Sequence, residues 1–183
     1  MEQDKKMQAL YRRFFRGEKT AIIELVQLYR EGLILFINGY VRNTDVAEDL
    51  ASDTFARLLI KKPKIRSDLH FKTYLFSMGK NAALSYLRKR KRLVDLDLEK
   101  ISYDDFESAW LIGEERKTVF RALQSLGEDY ASVLFLRYYE ELTVESIAQV
   151  MKKNKKQIYN LLQRAKEALR ERLKKEGIEY EAD

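Results

Sequence analysis

Apolar residues recur at steps of three and four along most of this chain, and almost nowhere do they alternate at a step of two. That periodicity predicts helices throughout. The first is a short amphipathic helix over Met7–Arg16, closed by Gly17. Thr20 is placed to cap a long helix over Ala21–Val41, with Ile22, Leu25, Val26, Tyr29, Leu33, Phe36, Ile37 and Tyr40 as its apolar positions. Asn43-Thr44-Asp45 supplies a break and a cap, and Asp45–Lys61 follows as a helix with Val46, Leu50, Phe55, Leu58 and Leu59 inward. Pro63 and a loop over Lys64–Asp68 lead to a helix capped by Ser67 or Asp68 and running to about Arg92. Further helices are expected over Glu114–Leu126, ending at Gly127, and over Asp129–Tyr139. One proline and seven glycines in 183 residues leave these patterns almost unbroken, so the expected fold class is all-α.

The last apolar pattern, Leu142–Leu173, reads as two helices with a short break. Thr143 is a candidate N-cap, with Glu145 in the first turn where a helix dipole favours an acid. Ile147, Ala148 and Met151 then recur at helical spacing, and the break falls near Lys152 and Lys153. Asn154 and Gln157 have the spacing of a capping box. Ile158, Leu161, Leu162, Ala165, Leu169 and Leu173 make one apolar stripe on the second helix. A small residue at Ala148, the break, and an aliphatic at Ile158 form a helix-turn-helix pattern. The stripe leaves Lys155, Lys156, Tyr159, Asn160 and Gln163 outward, on the end of the helix that enters a major groove in such motifs. Amide and long basic side chains read base edges there. Lys152, Lys153, Arg164, Lys166, Arg170 and Arg172 suit phosphates. The plain alternative is a helical hairpin with a solvated basic face. Lys152 stands where such motifs usually carry Gly, in a turn that costs a side chain some strain.

Charge sharpens the division of the chain. Arg88–Arg92 is an unbroken basic run, and Asp95–Glu115 then holds eight acids and one Lys. Such a switch of sign marks a boundary and a linker. Two domains follow from it, 1–94 and 114–176, joined by an acidic linker over 95–113 and ending in an acidic tail over 177–183. Lys and Arg outnumber Asp and Glu by 35 to 29, a balance that permits a nucleic-acid partner. There is no cysteine, hence no disulfide, thiolate metal site or thiol nucleophile. The N-terminal residues lack a signal-peptide core, and the longest aliphatic run, Leu33–Ile37, is far too short to span a bilayer. A cytoplasmic protein is expected.

Two further stretches carry chemistry. Asp49 and Asp53 are four residues apart on one helix face, with Leu50 and Arg57 nearby. That face suits docking onto a basic coiled coil, though most exposed charges belong to an ordinary solvated face. Phe71, Tyr74 and Phe76 lie near cations at Lys72, Lys80, Arg88, Lys89 and Arg90. Interleaved aromatics and cations suit single-stranded DNA. The alternative is that Phe71, Leu75, Met78, Leu84 and Leu87 are core.

Asp45–Ile60 and Phe71–Arg92, taken in order with Leu142–Leu173, resemble bacterial sigma factors of the extracytoplasmic-function (ECF) branch of the sigma-70 family. The resemblance covers roughly Tyr11 to Leu173 and implies two helical DNA-binding domains, region two and region four. It implies core-polymerase binding at Asp49, Leu50, Asp53 and Arg57, against the clamp helices of the β′ subunit. It implies recognition and melting of the promoter −10 element at Ile65, His70, Phe71, Tyr74, Asn81, Arg88, Lys89 and Arg90, with a flipped-base pocket in the loop Ile65–His70 and at Asn81. Reading of the −35 element falls to Lys155, Lys156, Tyr159, Asn160, Gln163 and Arg164. The partners implied are core RNA polymerase, including its β flap, and promoter DNA; an anti-sigma factor is the third partner class. No cofactor and no metal are implied. In this chain Tyr74 stands where the family usually has Trp, and Leu161 where it often has Arg.

Two other readings compete. A stand-alone helix-turn-helix regulator leaves the Asp49/Asp53 face and the basic-aromatic helix without a task. An enzyme acting on nucleic acid lacks a nucleophilic Cys, a phosphate-binding glycine loop and a metal-ligand cluster. The single His70 has no evident orienting partner for general-base work.

Overall fold

The computed structural model describes residues 2–64, 67–95, 122–123 and 125–175. These residues contain helices and no strand, so the all-α expectation holds. The chain divides into two compact units, Met1–Asp105 and Phe106–Asp183. The linker over 95–113 apart from Asp95, which ends the helix before it, most of the helix expected over Glu114–Leu126 and the tail over 177–183 lie outside the described residues.

The first unit holds α1 (Glu2–Phe15), α2 (Lys19–Val41), α3 (Thr44–Lys61) and α4 (Asp68–Asp95). Its centre is α2. Gly32 through Asn38 are buried without interruption, because α1, α3 and α4 all pack on this helix. This half of α2 is enclosed on every side, whereas Ile23, Glu24, Gln27 and Leu28 in the first half are exposed. Thr20 is not its cap: the N-cap is Glu18, and the Arg13 side chain closes the turn, donating to Glu18 Oε2 at 2.8 Å and Thr20 Oγ1 at 2.9 Å. Asn43 caps α3 as expected, accepting from the Val46 N–H at 2.9 Å. The inward face of α3 is smaller than its apolar pattern suggests. Ala47, Ala51, Thr54, Phe55 and Leu58 are buried, while Val46, Leu50 and Leu59 sit at the margin. The Thr54 hydroxyl enters the core by donating to the Leu50 carbonyl at 2.7 Å.

Helix α1 reaches further towards the N-terminus than Met7. Its Leu10, Tyr11 and Phe14 close one end of the core. The Tyr11 ring stacks on Phe71 at 4.6 Å, and its hydroxyl meets that of Tyr29 at 3.0 Å. Helix α4 approaches α2 closely at Gly79, where a Cβ would stand 2.7 Å from Leu33 Cδ1 and 3.4 Å from Ile37 Cγ1. That separation selects the smallest residue there despite its poor helix propensity.

The second unit contains α5 (Glu128–Leu134), α6 (Val144–Met151) and α7 (Lys155–Lys175). The helix expected over Asp129–Tyr139 does not run straight. It changes at Phe135–Tyr139 into a π-turn, in which the Glu140 N–H reaches back to the Phe135 carbonyl at 3.1 Å. Arg137 steadies the exit by donating to the Leu142 carbonyl at 3.0 Å. Leu136, Leu142, Ile147, Val150, Met151 and Ile158 fill the core, and α7 packs on both α5 and α6.

Candidate nucleic-acid interface

The turn between α6 and α7 fixes the angle at which α7 is presented. Thr143 caps α6, accepting from the Ser146 N–H at 3.2 Å. Lys152 ends the helix in the left-handed region, φ 55° and ψ 44°, a conformation that costs a non-glycine residue about 1 kcal/mol. The Lys153 N–H then bonds the Ala148 carbonyl at 3.0 Å, the six-to-one closure of a Schellman turn. The capping box forms in both directions. Gln157 N–H donates to Asn154 Oδ1 at 2.8 Å, and Asn154 N–H donates to Gln157 Oε1 at 2.9 Å. With Ile158, Leu162, Ala165 and Leu173 buried, Lys155, Lys156, Tyr159, Asn160, Gln163 and Arg164 are all exposed on the opposite side. Tyr159 is 60% exposed, too open for a packing residue.

Several cations expected to be free are engaged. Lys153 Nζ lies 3.1 Å from Asp129 Oδ2, and Lys166 Nζ lies over the Tyr138 ring at 5.3 Å. Lys155 Nζ meets Glu145 Oε1 at 2.7 Å. That hydrogen bond is the main reason the Glu145 carboxyl titrates below the usual glutamate range and the Lys155 ammonium above the usual lysine range. With the carboxyl depressed, the pair persists above the ordinary glutamate range and is lost as pH falls through the lowered value. Sequence reading missed this contact. Its signal was an acid in the first turn of one helix and a cation at the first position of the next.

In the first unit, Ser67 caps α4, accepting from the His70 N–H at 3.3 Å and meeting His70 Nδ1 at 3.1 Å. His70 and Asn81 are exposed and Tyr74 is half-buried. Steps of four and seven residues place His70, Tyr74, Asn81 and Arg88 along one face of α4. Arg88 and Lys89 are exposed and Arg90 is half-buried. Ile65 lies outside the described residues. Phe71 does not belong to this face. It is 0% exposed, enclosed by Tyr11, Phe14 and Tyr29, so it is a core ring and cannot stack on an incoming base. Phe76 is buried likewise, and Lys80 is 9% exposed. Lys72 Nζ lies 6.0 Å from the Tyr29 ring centre.

On α3, Asp49, Asp53 and Arg57 recur at steps of four and are all exposed; Leu50 is half-buried beside them. Glu48 is turned to other use, accepting from Arg30 of α2 at 3.1 Å. Among the described residues there is no His/Cys/Asp/Glu group that could hold a metal ion, and no helix long and apolar enough to cross a membrane.

Comparison with known proteins bears directly on these two units. Residues 25–93 match the model of sigma-70 region 2, and residues 116–169 match that of sigma-70 region 4. The RNA polymerase sigma-H factor of Pseudomonas aeruginosa is 31% identical over 181 residues, covering 92% of each chain. The chain belongs to the sigma-70 family, in its ECF branch. The ECF RNA polymerase sigma-E factor of Escherichia coli is 29% identical over 175 residues, 88% of this chain and 91% of that protein. Among solved structures, the sigma factor RpoE of Bartonella quintana, in complex with the anti-sigma factor NepR, aligns with a TM-score of 0.68 at 25% identity, covering 82% of this chain and 95% of its own. CnrH, in complex with the cytosolic domain of CnrY, shares the fold with a TM-score of 0.64 over 91% of this chain and 96% of its own. This sigma factor is accordingly a promoter-directing subunit whose partners are core RNA polymerase and promoter DNA.

Proposed function

We propose that this sigma factor acts in the cytoplasm as a dissociable, non-catalytic subunit, with three surfaces in separate roles. The exposed face of α3 at Asp49, Asp53 and Arg57 docks on the β′ clamp helices of core polymerase, with Leu50 at its edge. The α4 face of His70, Tyr74, Asn81 and Arg88 receives the −10 element once its bases unstack. The start of α7 reads the −35 element. The domain limits that suit this division are 1–94 for region two and 114–176 for region four, with the β flap as a further contact for the second. The observation that carries the reading is the α7 face itself, where amide, aromatic and basic side chains stand exposed together on a helix fixed by a capping box and a Schellman turn. RpoE and NepR form a sigma–anti-sigma complex, and an anti-sigma factor of that class is a third partner for this chain.

Run-off transcription with purified core polymerase on a promoter library tests the whole reading; specific initiation is the expected result. On a promoter selected in this way, Asn160→Ala and Arg164→Ala are each expected to lower initiation by about 1–3 kcal/mol of binding. Asn160→Ala should also relax preference in the −35 element. Variants that keep both strength and preference would remove α7 as the reader.

Asn81 is separable from these. Its amide both donates and accepts, which suits a base edge exposed only after melting. In Asn81→Ala, permanganate reactivity of unpaired thymines near the start site is expected to fall severalfold while holoenzyme binding to the closed duplex stays near wild type. An equal loss of binding and opening would make Asn81 a structural residue only.

A further inference from the structure

The Glu145–Lys155 contact joins the first turn of α6 to the first residue of α7. In a docked helix-turn-helix the first helix crosses the phosphate backbone and the start of the second meets the bases. The contact is short, 2.7 Å, yet both side chains are more than half exposed, at 61% and 54%. Exposed pairs of this kind contribute little to folding. The capping box and the Schellman turn already fix the angle between the helices. What the contact does determine is where one ammonium group stands and how much of its charge a polyanion meets. A free lysine is a point charge on a flexible four-carbon stem, able to find any phosphate within reach. A lysine paired with a carboxylate keeps its own charge, but the pair carries none in sum, so a polyanion is drawn to it less strongly. Lys156 and Arg164 remain on the same face to supply attraction.

We propose that Glu145 is a positioning residue for promoter discrimination: its carboxylate holds Lys155 at one place on the motif and withholds it from the phosphates of non-cognate duplexes. The inference rests on the assignment of α7 as the −35 reader. It adds a residue of α6 that lowers non-cognate binding more than cognate binding. Protonation of the carboxylate would release the lysine in the same way as its removal.

The test uses holoenzyme assembled from the full chain and core polymerase. The probes are a duplex enriched from a randomised pool by the wild-type holoenzyme and a shuffled duplex of the same composition. Glu145→Gln keeps the side-chain shape and removes the charge. It is expected to bind the shuffled duplex roughly three- to tenfold more tightly at low salt, with a log–log salt slope steeper by about one. The enriched duplex should gain less, so that the preference ratio falls by roughly threefold. Glu145→Gln/Lys155→Met should behave as Lys155→Met alone, because the effect passes through the lysine. An unchanged slope in Glu145→Gln overturns the proposal. So does a double variant that gains as much as the single one, since that gain would come from lost repulsion between Glu145 and DNA. Failure of the wild-type holoenzyme to enrich any −35-like sequence would overturn the α7 assignment as well, an outcome distinct from the other two.

Discussion

Reversing charge at Asp49 and Asp53 together is expected to weaken binding to core polymerase by at least about a hundredfold, roughly 3 kcal/mol, while the protein stays folded. Both carboxylates are exposed one turn apart on α3, and Arg57 continues their line. A basic partner that meets two lysines there faces like charge at close range, which costs several kcal/mol when the contact is desolvated. The fold should tolerate the change, because Lys is the better helix former and neither position faces the core. Glu48 provides the contrast. It is half-exposed and already paired with Arg30 of α2, so Glu48→Lys should cost the unit at most about 1 kcal/mol and should leave core binding closer to wild type than the double reversal does. Competition with a labelled wild-type chain for core polymerase measures the affinity, and far-UV circular dichroism confirms the fold. A folded Asp49→Lys/Asp53→Lys protein with unchanged affinity would remove α3 as the docking surface.

Phe71→Ala is expected to cost about 3–5 kcal/mol of stability, a large share of the roughly 5–15 kcal/mol available to a domain. The ring has no solvent exposure and lies against Tyr11, Tyr29 and Phe14 at centroid distances of 4.6, 5.1 and 6.3 Å. Phe71→Leu keeps most of that volume and should lose far less. The pair of variants separates two roles for one aromatic. Phe71→Leu should melt promoter DNA with the holoenzyme much as wild type does, because a ring enclosed by α1 and α2 offers no face to a base. A loss of opening in Phe71→Leu, with urea midpoint and duplex binding intact, would return Phe71 to the melting surface. Tyr74, half-buried on the neighbouring face, is the aromatic with a side left for stacking.

The difference between Phe71 and Tyr74 also shows what the sequence could and could not disclose. Periodicity located nearly every described helix, since an amphipathic stripe needs only residue spacing to be recognised. Local caps were legible for the same reason: Asn43, Ser67, Thr143 and the Asn154/Gln157 box are each defined within four residues. Phe71 was misplaced because its neighbours come from α1 and α2, far away in the chain, and spacing along α4 does not report them. Thr20 was misplaced because Arg13, seven residues earlier, binds both Glu18 and Thr20 and moves the helix start back. The Glu145–Lys155 contact escaped because it spans the turn, where helical spacing rules do not apply. The exposure of Lys155, Lys156, Tyr159, Asn160, Gln163 and Arg164 on α7 is legible in the sequence because one stripe of that helix is buried, although Leu161 and Leu169 of that stripe are only half-buried.

The π-turn at Phe135–Tyr139 has a consequence for how this chain lines up with copies of different length. A hydrogen bond spanning five residues instead of four takes up one extra residue without lengthening the helix by another step. Removing one residue from Arg137–Tyr139 would let the ladder return to ordinary spacing. Such a deletion would swing the tyrosines on this turn to a new azimuth, and the contacts of Arg137 with the Leu142 carbonyl and of Tyr138 with Lys166 would have to form anew. With Phe135 and Leu136 buried and Arg137–Tyr139 more open, the turn is where a one-residue deletion is expected to be absorbed locally, at the cost of those two contacts and not of the helical frame.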